Sequence, residues 1–136
     1  MWHCELMSIT ASAAIAFTIA AVGVIGFQVA LALGAPWGSC AMGGAFPGRF
    51  PPRMRIAALV QGVLLAGTIA IVLSRAGLVL PDWAGAAGWL IWAVVAVAAV
   101  AVVLNAITPS VGERRVWAPI AVVMLIGSLV VALTTP

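Results

Sequence analysis

The chain has 136 residues, of which 65% are hydrophobic and 7% charged. A soluble domain carries about 25% charged residues, and so few charges cannot cover a water-exposed surface of this size. The net charge of +3 comes from arginine alone, with no lysine, and the arginines flank apolar runs. They read as membrane-flanking residues and give no footprint for nucleic acid.

The uncharged stretches between Glu5 and Arg49, Arg55 and Arg75, and Asp82 and Glu113, and the one beyond Arg115, are each long enough to cross a bilayer. A spanning helix needs roughly 20 mostly apolar residues. A cleaved signal peptide is not expected. The N-terminal MWHCELMSIT has no Lys or Arg, and the apolar run after it exceeds the about 7–15 residues of a signal core.

A first helix is predicted over 8–33, with a start as early as Trp2 possible. It carries small residues in two rows spaced by four, Ser12, Ala16, Ala20 and Gly26, Ala30, Gly34. Small residues let helices approach closely in lipid. Gly34-Ala35-Pro36 ends it, by the usual preference for Gly just past a helix and Pro shortly after. The loop 34–55 follows, reading GAPWGSCAMGGAFPGRFPPRMR. It is long for a bundle connection, where roughly 2–8 residues is usual. Trp37, Phe46 and Phe50 predict an ordered loop anchored at the membrane surface.

A second helix is predicted over 56–74. Ala58, Gly62, Ala66, Ala70 and Ser74 recur every four residues, and this face is the expected seam with another helix. The partner is a helix of the same chain, of a second copy, or of another membrane protein. Arg75 closes the span. A third helix is expected over 83–107 with Asp82 as N-cap. A fourth is expected over 111–134, opened by a capping box of Ser110 and Glu113, with Pro119 bending its entry.

With four spans, the first and third loops share one side of the membrane. They hold Arg49, Arg53, Arg55, Arg114 and Arg115, against Arg75 on the other side. The positive-inside rule then places both loops in the cytoplasm and both termini outside. Cys4 and Cys40 fall at opposite ends of the first helix and cannot pair within the chain.

Two constellations invite a functional reading. Gln28, Gln61 and Asn105 each fall about 7–8 Å inside the expected boundary of the arginine-rich side. They act as interhelical glue or as the floor of a small cavity beneath the loop. Arg49, Arg53, Arg55, Arg114 and Arg115, with Glu113 and Trp37, are candidates for contact with lipid headgroups or an anionic ligand. Glu113 is also placed to pair with one of the arginines and join the two loops. Trp89 and Trp92 fill space between helices or wall a cavity. His3, Cys4 and Glu5 are metal-ligand types, but adjacent side chains rarely converge on one ion, and no second cluster has zinc-like spacing. No catalytic residue, cofactor motif or metal site is expected. There is no P-loop and no G-x-S-x-G. No acidic residue lies deep in a span, where proton-coupled transporters usually place one.

The segments 34–38, 43–56 and 104–119, reading GAPWG, GGAFPGRFPPRMRI and LNAITPSVGERRVWAP, resemble a group of small bacterial four-helix membrane proteins. The resemblance covers nearly the whole chain. It implies architecture and a bacterial inner-membrane location, carries over no activity, and implies that the two arginine-rich segments belong together. The expectation is therefore an all-α antiparallel bundle of four transmembrane helices in one domain, with membrane lipids as its first partners. Three functions are carried forward: a non-enzymatic accessory or interaction subunit, an oligomeric transporter or channel for a small solute, and an enzyme acting on a lipid or amphiphile. Gln28, Gln61 and Asn105 on a common cavity would mark the second. The third lacks an acid–base pair.

Overall fold

The computed structural model describes residues 2–41, 44–79 and 81–135. It contains four long α-helices: α1 (Trp2–Ala32), α2 (Pro52–Arg75), α3 (Ala84–Ile107) and α4 (Val111–Thr134). Each is long and apolar enough to cross a membrane, and they run antiparallel as one bundle. The chain is a multi-pass membrane protein.

Three helix starts differ from the sequence reading. α1 begins at Trp2, the earlier of its two expected starts, rather than at residue 8. α2 begins at Pro52 rather than at residue 56, because proline suits the first helical position, where its missing N–H is not needed. Pro51 is extended, and its carbonyl accepts from the N–H groups of Met54 and Arg55. Arg53 and Arg55 therefore belong to the first turn of α2 and not to the loop. At α3, Asp82 is not the N-cap. It lies in a 3-10 turn (Pro81–Trp83), and Trp83 takes the cap position without a side-chain hydrogen bond. At α4, Ser110 Oγ accepts from the Glu113 N–H at 3.2 Å, the first half of the expected box.

α1 packs between α2 and α4, and α3 packs on α4; the contact between α2 and α3 is the slightest around the ring. The buried positions are mainly small: Ala14, Ala21, Ala87, Ala121 and Ala132, with Gly62 and Gly127. Large apolar residues such as Met7, Ile19, Val63, Trp89, Ile107 and Leu133 point outward. Lipid tails are as apolar as leucine, so the helices gain by close approach and not by hiding bulk. Gly127 illustrates this. A Cβ there would stand 2.9 Å from the Ala13 carbonyl oxygen and 3.2 Å from Phe17 Cβ, so α1 and α4 meet at backbone distance. At the same end, the Thr10 and Thr134 hydroxyls are hydrogen-bonded across the two helices.

The four-spaced row on α2 is engaged at its ends and free in its middle. Ala58, Gly62 and Ser74 are buried, Ala70 is half-buried and Ala66 is exposed. A four-residue step drifts about 40° around a helix, so five members cannot hold one face. Gly62 packs on Gln28 of α1, its Cβ position 4.0 Å from Gln28 Cβ.

Two separate cores result. One unites all four helices through Phe17, Val72, Ile91, Val94 and Val131. The other lies at the arginine-rich end and consists of Leu31, Ala41, Phe50 and Ala58.

Candidate functional site: a cleft between the two cores

The loop 34–55 closes the arginine-rich end of the bundle. The Gly38 N–H donates to Gly48 O at 2.9 Å, which draws the loop into a lasso. The strands of this lasso touch at Gly38, where a Cβ would overlap the Phe46 carbonyl oxygen and stand 2.7 Å from Gly48 O. Phe50 is turned inward and buried, with Phe46 edge-on to it at 6.0 Å. It therefore plugs the core and is not a surface anchor. Trp37 remains half-exposed and lies parallel to Phe27 at 6.2 Å between ring centroids.

The loop is fastened from two sides. Arg55 Nε donates to Phe50 O at 2.9 Å, and its guanidinium lies against Gly34, which has a φ of 101°. From α4, Trp117 Nε1 donates to Cys40 O at 3.0 Å, and Ser110 Oγ donates to Ser39 O at 2.6 Å. Gly112 stands where a Cβ would come within 2.9 Å of Cys40 Sγ. The two arginine-rich segments are thus joined directly.

Between the loop and the larger core lies a cleft of about 820 Å³, lined by all four helices. Phe17 and Val94 of the larger core form its floor, and Ala41 and Phe50 its roof. Its side is the α2–α3 seam, where lining residues Leu64, Val97 and Leu104 are 65%, 63% and 57% exposed. The seam closes toward the other end, where the Arg75 guanidinium lies against Gly88 of α3. The cleft therefore opens sideways, in the half of the bundle nearest the loop, toward whatever surrounds the helices.

The walls are largely apolar, and apart from Thr68, whose hydroxyl donates to Leu65 O at 2.6 Å on its own helix, the polar groups gather near the roof. Gln28, Gln61 and Asn105 all line this one cleft. The Gln28–Gly62 contact sets Gln61 at the level of Gln28. Asn105 Nδ2 donates to Ala101 O at 2.7 Å on its own helix. The Gln28 amide is held otherwise: the residue is 8% exposed, faces the cleft, and makes no hydrogen bond from its side chain to another described residue. Thr108 and Glu113 complete the polar end. The Ser110 N–H donates to Thr108 Oγ1 at 3.3 Å, and the Thr108 hydroxyl donates to Glu113 Oε2 at 3.2 Å.

The arginines do not share this site. Arg49, Arg53, Arg114 and Arg115 are exposed, and Arg55 is engaged with the loop. Among the described lining residues Glu113 is the one that carries a charge. Trp89 and Trp92 point away from the cleft and are 67% and 48% exposed. Sequence reasoning missed Cys40, Met54, Thr108 and Trp117 as lining residues. Thr108 had a signal in its place beside Pro109 and Ser110 at the head of α4. Cys40 had none, because its position depends on the lasso.

No family model, curated protein or solved structure matches this chain.

Proposed function

We propose that this protein binds an amphiphilic small molecule within the membrane, entering sideways between α2 and α3. The observation that carries this reading is the cleft itself. Its volume of about 820 Å³ falls in the range of about 300–1,000 Å³ typical of small-molecule sites. It joins a long apolar trough to a polar end, as a molecule with a tail and a head requires. Gln28, Gln61 and Asn105 on one cleft support a solute-handling role over a purely interacting subunit. The described lining residues offer no acid–base pair for a reaction, and the role we propose is binding or carriage rather than chemistry.

The bias of arginines to the loop end supports an inner-membrane orientation in a bacterium, with the loop and the α3–α4 turn in the cytoplasm and both termini outside. The exposed arginines then meet lipid headgroups, and the cleft lies in the cytoplasmic half of the bilayer.

Extraction from membranes in mild detergent, followed by native mass spectrometry, tests the binding reading. The expected result is one retained amphiphile per chain. Ala98→Phe, which puts bulk into the cleft, should release it, and Val100→Phe, at an exposed position, should not. Absence of any retained small molecule, or retention of a partner protein in its place, would overturn the reading in favour of an accessory subunit.

A further inference from the structure

We infer that the cleft recognises an uncharged, hydrogen-bonding head, such as the hydroxyl of a monoacylglycerol or long-chain alcohol, with Gln28 as the residue that reads it. This deepens the proposed function and rests on it. Gln28 is nine-tenths buried as a residue, but its amide atoms are not sealed in and keep accessible surface, so they are free to meet a molecule in the cleft. The Gln28 side chain has no hydrogen-bond partner among the described residues and faces the cleft. Its amide offers two donors and an acceptor with two lone pairs, which a hydroxyl can answer in both senses. Gln61 stands at the same level on α2, and the Thr108 hydroxyl and Glu113 carboxylate extend the polar wall.

Charge decides against an anionic head. The described lining holds the Glu113 carboxylate and no arginine. A phosphate or carboxylate entering here would lose its water without gaining a cation, which is costly in a low-dielectric site. Arg49, Arg53, Arg114 and Arg115 are exposed and Arg55 is held by the loop, and none of them is among the described lining residues.

The test uses the delipidated full chain in detergent and four dodecyl probes, followed by native mass spectrometry. The probes are 1-monolaurin, dodecyl phosphate, dodecyltrimethylammonium and 1-bromododecane. Monolaurin is expected to bind most tightly. Gln28→Met, close to isosteric but lacking the amide, should weaken monolaurin by roughly three- to tenfold and leave bromododecane unchanged. Gln61→Met, at an exposed position where an apolar side chain suits lipid, should weaken it in the same direction and stands in if Gln28→Met fails to fold. Equal binding of all four probes, tighter binding of the phosphate or the ammonium, or monolaurin affinity unaltered in the variants would overturn the inference while the cleft still holds a tail. Failure of every probe, bromododecane included, would instead bring down the binding reading beneath it.

Discussion

Gly38→Ala should release the loop that roofs the cleft. At Gly38 the chain passes so close to its own return segment that a methyl group overlaps the Phe46 carbonyl oxygen and crowds Gly48 O at 2.7 Å. Both obstacles are backbone atoms, so no side-chain rotation makes room. The hydrogen bond from the Gly38 N–H to Gly48 O must lengthen or break, a loss of about 0.5–1.5 kcal/mol. Moving the packed backbone costs about 1–3 kcal/mol more. The lasso is thus destabilised by roughly 1.5–4.5 kcal/mol in all. The spans have no such contact at Gly38, so the effect falls on the loop, and the helical content should stay unchanged. Cys40 reports on it, since its sulfur is pressed against Gly112 and its carbonyl is held by Trp117. In a Cys4→Ser background, maleimide labelling of Cys40 should accelerate at least tenfold in Gly38→Ala, with circular dichroism as before. Labelling at the parent rate, with an unchanged melting midpoint, would refute the reasoning about the lasso.

Further outcomes follow from the packing and hydrogen bonds of individual residues. Gly127→Ala should lower stability by about 1–3 kcal/mol, because its Cβ would meet the Ala13 carbonyl. Gly67→Ala, with nothing within 4 Å of its Cβ position, should be neutral or stabilise by about 0.5–1 kcal/mol; thermal unfolding in detergent separates the two. Ser110→Ala removes both the α4 cap and the bond to Ser39 O, and a loss of about 1–2 kcal/mol is expected in the same assay. Arg55→Met should loosen the loop, read as faster Cys40 labelling, since it breaks a charged hydrogen bond to Phe50 O worth about 1.5–3 kcal/mol. Arg53→Met, at an exposed residue, should leave the labelling rate as it was.

The spans were legible because bilayer thickness fixes a length and the charges mark its ends. The runs flanked by Arg55, Arg75, Asp82 and Glu113 correspond to α2, α3 and α4. Ends were read less well where proline has two meanings. Pro52 falls within the predicted loop 34–55 and is instead the first residue of α2. The three amides were singled out by their similar distance from the expected boundary, and that distance brings them to one cleft. What the sequence could not show was the weakness of the α2–α3 contact, which makes the cleft. Small residues occur on every helix, and their spacing does not say which seam closes. Nor does Phe50 announce itself as a plug, since an aromatic in a loop beside arginines equally suits a membrane surface. Its inward turn depends on the lasso closed at Gly38.

Photocrosslinking in the membrane tests the central claim most directly. A monoacylglycerol carrying a diazirine at the end of its chain is incorporated into vesicles with the protein, irradiated, and its adducts are mapped by peptide mass spectrometry. Adducts should concentrate on the floor and seam of the cleft, at Phe17, Leu64, Thr68, Val94 and Val97, and should fall away in Ala98→Phe. Labelling spread evenly over the outward residues Ile19, Val63, Val100 and Leu133, with the cleft no richer than they are, would contradict the account.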